Sequence, residues 1–257
     1  MSPGQDRSPV VPALRSARAV VFDTDGVLTD SAGVHAEAWK AAFDAYLRDL
    51  PPDVADTSAR RPFDAAEEYR RYVDGRSRRD GAAAFLAARG LPADPAAVEA
   101  VAADKERRLT RRLRARPVDA YPGSVRLLRV LRGAGVPMAA ASASRHAREL
   151  LERAGLLDLF DALVDGVEAA RLGLPGKPDP ALFLEAARRL GVPPGRCALV
   201  EDALAGVEAG RRGGFGLVVG VDRAAGPDTA DALRRHGADL VVPDPVDLLA
   251  AREGQPS

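Results

Sequence analysis

Lysine is scarce in this chain. Of 257 residues 37 are basic, and only Lys40, Lys105 and Lys177 among them are lysines, the rest being arginine. The plain explanation of an alanine- and arginine-rich composition with 5% aromatics is codon bias of the GC-rich kind, which favours arginine wherever a surface needs only positive charge. A lysine kept against that bias is a candidate for a role a planar guanidinium fills poorly. An excess charge of either sign is also missing: 37 acidic residues balance the 37 basic ones, so the sum leaves no electrostatic footprint for nucleic acid. No apolar run approaches the roughly 18 residues that span a bilayer. Residues 1–18 mix proline, aspartate and arginine without a signal-peptide core, so neither a membrane nor export is expected, and the cytoplasm is. The single cysteine, Cys197, excludes an internal disulfide and lies in an apolar run, which reads as a buried structural thiol.

Against these absences, 46% hydrophobic residues can fill one large domain, or a core with a smaller insert. Short apolar runs at 18–22, 136–141, 162–164, 197–200, 215–219 and 239–242 are separated by helix-length stretches. Strands alternating with helices predict an α/β fold with a parallel, Rossmann-like sheet. The long gap between the first two strands carries helical patterns at 36–50, 65–73, 79–89 and 95–114 and no strand, which predicts an inserted α-helical cap domain. The expected division is a core of 18–31 and 118–250, a cap of 32–117, and loose tails at 1–17 and 251–257. The crossings near Ala32 and at 117–121 are candidate hinges.

Open parallel sheets collect ligands at the carboxyl ends of their strands. Here the residues following the strands are Asp23 and Asp25 after the first, Ser142-Ala143-Ser144 after the second, Lys177 a loop beyond the third, and Glu201-Asp202 after the fourth. Singly, Ser142 reads as a helix cap, Lys177 as a loop charge, and Glu201-Asp202 as the first turn of a helix favoured by its dipole. Taken together they make an oxygen-rich mouth suited to Mg²⁺ and a phosphoryl group, with the lysine as a second fixed cation and the serine hydroxyl and nearby backbone N–H groups as donors. An EF-hand reading fails, because glycine would be needed sixth and glutamate twelfth, whereas Gly26 is fourth and Val34 twelfth.

The segments FDTDGVLTDS, AAASASR, LPGKPDP and LVEDALAGVEAG resemble, in order, the four motifs of the haloacid dehalogenase superfamily. His35, the 38–40 segment Ala-Trp-Lys and the doubled serine Ser142-Ala-Ser144 resemble its β-phosphoglucomutase subgroup. The resemblance implies Asp23 as the nucleophile and Asp25 as the general acid and base. It implies Mg²⁺ held by Asp23, the Asp25 backbone carbonyl and Asp202, with Glu201 beside it, and the phosphoryl group held by Ser142, Ala143 N–H and Lys177. A cap stretch of the form Gly-x-Ser-Arg-x-Asp appears as Gly75–Asp80, which makes Arg78 the candidate grip for a second phosphate, with Ser144, Arg145 and His146 on the core side. Lys105 matches the position of the family's substrate-contacting cap lysine, and His35 that of a group coupling cap closure to the nucleophile. The implied activity is sugar-phosphate mutase chemistry on a small-molecule sugar phosphate, with a phosphatase as the alternative; a monomer is compatible with the sequence. The chain departs from the pattern at Thr24, Arg145-His146 and Ala203, and carries extra cap sequence at 48–67.

Overall fold

Every apolar run expected as a strand forms one, and all six join a single parallel sheet in the order β3-β2-β1-β4-β5-β6. The computed structural model describes residues 10–51, 58–115, 117–223 and 227–250. Its strands are β1 Ala19–Phe22, β2 Met138–Ala141, β3 Ala162–Val164, β4 Cys197–Glu201, β5 Leu217–Val221 and β6 Leu240–Val242. Such an order reverses direction at β1, so the crevice at the sheet's carboxyl edge opens between β1 and its two neighbours β2 and β4.

The central strands are apolar on both faces because both faces are covered. Side chains alternate across β1: Val20 and Phe22 enter one core layer with Leu127, Leu128 and Leu131 of α4 (Pro122–Gly133), while Ala19 and Val21 enter the other with Phe183 of α7 (Ala181–Leu190) and Val207 of α8 (Leu204–Arg212). Cys197 belongs to the second layer, and burial pushes its thiol up to about 11, so it is an inert core residue.

Helices α1 (Ala32–Asp49), α2 (Arg78–Ala88) and α3 (Pro95–Ala115) enclose a separate apolar cluster. Its centre is aromatic: Phe43 lies 4.9 Å from Trp39, 4.8 Å from Phe63 and 4.0 Å from Phe85 between ring centroids. Much of the chain's small aromatic content is thereby spent on the helical unit, which lacks a sheet to organise it. Lys40 ties the extra cap sequence to α1, donating to Phe63 O at 2.9 Å and pairing with Asp44, which accepts from Phe63 N. The 52–57 part of that sequence, like 1–9 and 251–257 of the expected tails, lies outside the described residues. The two crossings run side by side, Thr29 bridging Ala120 and Tyr121 N donating to Leu28 O, so the chain enters and leaves the helical unit through one two-stranded neck.

Three expectations need correction. Residues 10–17 are no loose tail: Val10 and Leu14 are buried in the core, and Val10 bridges Leu249, because two apolar side chains find cover beside the Pro245–Leu248 turn. A helix, α6 (Gly166–Leu172), stands between β3 and the Lys177 loop, started by Asp165, whose carboxylate accepts from the N–H groups of Val167 and Glu168. The stretch expected as an ordinary helix at 65–73 is a wide π-helical turn over Tyr69–Val73, with Tyr69 N bonded to Asp64 O and Asp74 N to Tyr69 O.

Candidate active site

At the end of β1 the chain leaves the sheet through Asp23, Thr24 and Asp25, and turns at Gly26. The turn requires glycine: φ is +80°, and a Cβ there would stand 1.9 Å from Asp202 Oδ2. The same close approach brings the β1 and β4 loops together, so that one ligand oxygen each from Asp23, Glu201 and Asp202 lie within 4.8 Å of one another. Lys177, 1% exposed, lies between two of these groups, 2.6 Å from Asp23 Oδ1 and 2.6 Å from Glu201 Oε1, over the face of Phe183. The second Glu201 oxygen accepts from Ala203 N.

One ammonium cannot balance these carboxylates. Burial pushes Asp23 up to about 8, against the pull of Lys177 and with help from Glu201 and Asp25. Burial and the carboxylates of Glu201, Asp74 and Asp23 hold Asp202 well above the usual range. A cluster of oxygen donors whose buried negative charge lacks a counter-ion is a fit for a hard divalent cation, so the residues present suit the metal that the fold implies.

Asp25 faces away from this cluster. Its carboxylate accepts from the Ser31 and Ser142 hydroxyls, and His35 Nε2 stands 3.6 Å away. Burial opposes its ionisation, but His35, Ser31, Lys105 and Lys177 outweigh burial and hold the carboxyl below its ordinary value. His35 is itself held down to about 4 by burial and by Lys105, whose Nζ is 3.4 Å from His35 Nδ1. Two carboxyls two residues apart thus sit in opposite environments, Asp23 among buried carboxylates and Asp25 among hydroxyls and cationic side chains.

A cavity of about 330 Å³ lies between this edge of the sheet and the helical unit. Asp23, Asp25, His35, Arg78, Lys105, Ser142, Ala143, Ser144, Arg145, Lys177 and Asp202 all line it, so eleven residues picked from separate stretches of sequence meet around one space. Glu201 stands behind Lys177. His146 turns away toward α3, where its Nε2 is 3.0 Å from Glu106 Oε1 and 3.3 Å from Thr110 Oγ1. That pair joins cap to core and, through the His146 hydrogen bond, takes Glu106 down to about 2.

Sequence reading missed Ser31, Glu106, Tyr69 and Asp74. Ser31 ends the first motif and was within its reach. The other three had no local signal, since each acquires its place from how the cap lies on the core. Burial and Glu201 raise Asp74 to about 7, and the Tyr69 hydroxyl donates to it.

The parallel α/β core presents paired aspartates, a buried lysine and a carboxylate cluster at one sheet edge, under an inserted helical unit. Residues 17–214 match the model of the haloacid dehalogenase-like hydrolases, and the chain belongs to that family. Within it, the chain falls in the β-phosphoglucomutase-like subgroup. It is 43% identical over 252 residues to a β-phosphoglucomutase of Mycobacterium tuberculosis, covering 95% of each chain, and 34% identical over 233 residues to the β-phosphoglucomutase of Bacillus subtilis, covering 88% of this chain and 92% of that one. Among solved structures, a hydrolase from Pseudomonas syringae superposes with a TM-score of 0.73 at 26% identity, over 90% of this chain and 95% of that one.

Proposed function

We propose that the protein interconverts β-D-glucose 1-phosphate and glucose 6-phosphate through an aspartyl phosphate and an enzyme-bound β-glucose 1,6-bisphosphate, and that it requires Mg²⁺. Arg78 carries this reading. Its Nε is buried on the cap side of the cavity and has no hydrogen-bond partner among the described residues. A buried guanidinium nitrogen left unpaired is costly unless a ligand completes it, and an arginine fork matches a phosphate. With Lys177 and Ser142 at one phosphoryl position, Arg78, Ser144 and Arg145 provide the second grip that a bisphosphorylated intermediate needs. The names of the two mycobacterial and bacillar relatives support the same substrate.

In this mechanism Asp23 attacks phosphorus and carries the phosphoryl group, while Lys177, the Ser142 hydroxyl and Ala143 N–H hold its oxygens. Asp25, ionised in the resting site, removes the proton from the incoming sugar hydroxyl and returns a proton to the leaving oxygen on the reverse transfer. Asp23, Glu201 and Asp202, with the Asp25 backbone carbonyl, would hold Mg²⁺, whose charge offsets repulsion between carboxylate and phosphate. The cap keeps water from the aspartyl phosphate while the bisphosphate turns over between two phosphate grips.

The alternative is a sugar-phosphate phosphatase, which uses the same Asp23 and Asp25 and releases the group to water. The test supplies β-glucose 1-phosphate, Mg²⁺ and a trace of the bisphosphate, and follows glucose 6-phosphate and free phosphate together. Glucose 6-phosphate in excess of phosphate is expected; phosphate without glucose 6-phosphate assigns the phosphatase.

A further inference from the structure

The π-helical turn and the loop after it press on the core instead of spanning the cavity. Gly75 has φ +69°, and a Cβ there would lie 2.8 Å from the Ala203 Cβ, 3.7 Å from Lys177 Cδ and 3.8 Å from Glu201 Oε1. Only a glycine lets the cap come this near to the loop bearing the acidic cluster. Asp74, the residue before it, lines the same cavity as Asp23 and Asp202, accepts from the Tyr69 hydroxyl, and lies within electrostatic reach of both Glu201 and Asp202. Seating the cap therefore adds a fourth carboxylate to three that already share a single lysine. Like charges gathered out of water repel strongly, and a cation among them reverses the sign of the cap's contribution.

We infer that Asp74, which stands beside the three-carboxylate cluster and not within it, is the cap's own contribution to the charge around the cation site, so that the cap closes on the metal-loaded core and a divalent cation is held more tightly under the closed cap. Reciprocity follows: whatever factor closure adds to metal affinity, metal adds to closure. The inference rests on reading Asp23, Glu201 and Asp202 as the divalent-cation site. It gives the widened turn a purpose, since the π-helical geometry sets Tyr69 where its hydroxyl can steer the Asp74 carboxylate.

The test measures Mn²⁺ binding to the full chain, by calorimetry and by the free-Mn²⁺ electron paramagnetic resonance signal, with no substrate present. Asp74→Asn is expected to weaken Mn²⁺ binding about tenfold, within the ordinary range of coupling between sites. Gly75→Ala keeps the carboxylate but holds the loop off Ala203, and is expected to lose a similar factor; the double variant should be no weaker than the weaker single. Wild-type affinity in Asp74→Asn overturns the inference. So does a loss in Asp74→Asn with none in Gly75→Ala, which would separate Asp74 from closure. Circular dichroism checks each variant, and Gly75→Ala alone decides the matter if Asp74→Asn does not fold. Failure of the wild-type chain to take up Mn²⁺ would instead remove the cation site itself, a result seen before any variant is made.

Discussion

Lys177→Met removes a charge and little else. Methionine keeps an unbranched stem against Phe183, whose ring centre lies 4.6 Å from the ammonium, but it leaves Asp23 and Glu201 buried without the cation that each meets at 2.6 Å. Breaking a buried pair by removing one partner costs about 3–5 kcal/mol, and in a protein of this size each kcal/mol moves Tm by about 2–4 °C. A loss of roughly 10 °C is expected at mildly alkaline pH without divalent metal. The pH dependence has a definite sign. Lys177 is the main force opposing burial at Asp23, so without it the folded-state pKa of Asp23 climbs further above about 8. A carboxyl whose folded pKa exceeds its unfolded one contributes full stability below the unfolded value and loses it as pH rises through the folded value. The variant's deficit must therefore grow with rising pH and shrink on acidification, as protons take over from the lysine. Mg²⁺ should recover part of it by binding the folded state. Thermal melts across about pH 5 to 9, with and without Mg²⁺, measure all three effects. A deficit of under about 3 °C throughout, or one that does not vary with pH, refutes Lys177 as the counter-charge of these carboxylates.

Asp23→Asn should lower turnover by at least about 10⁴-fold and abolish labelling of the protein by radioactive phosphate; residual turnover near wild type would exclude a covalent route through Asp23. Burial brings the Lys105 ammonium down to about 8, so kcat/KM should fall above that pH, and Lys105→Arg, charged throughout, should shift the falling limb upward by about a unit or more. An unmoved limb would assign it to another group. Glu106→Gln weakens the 3.0 Å bond to His146 across cap and core; at these partly exposed groups that is about 1 kcal/mol, read as a roughly fivefold rise in KM with kcat little changed. Lys40→Ala frees Phe63 O and Asp44 at a half-exposed site, and should lower Tm by only about 2 °C while activity stays at the wild-type level.

Much of the site was legible because of where parallel strands end. Asp23, Ser142 and Asp202 each follow a strand directly, and a parallel sheet delivers all its carboxyl ends to one edge. Lys177 was found despite α6, a helix too short to show as a period, because the lysine's rarity marked it. Of the other lysines, Lys105 stands over Trp39 and beside His35 at the cavity, and Lys40 clamps the extra cap sequence, so each survives at a polar junction. A loose tail at 10–17 is the wrong expectation because Val10 and Leu14 are isolated apolar residues whose burial depends on a partner segment ending at Leu248 and Leu249.

The sequence by itself determined the alternation of buried strands and amphipathic helices, the insertion of a helical unit after the first strand, and the types of group at each strand end, because these follow from periodicity and from residues adjacent along the chain. Only the tertiary structure decided which charges meet. Asp25 is lowered and Asp23 raised although both lie in one short motif, because one faces His35, hydroxyls and two lysines and the other is buried among carboxylates. His146 pairs with Glu106, and Asp74 joins the carboxylate cluster, through contacts between segments far apart in sequence. Burial and Coulomb energy depend on distances in space, which no local pattern of residues encodes.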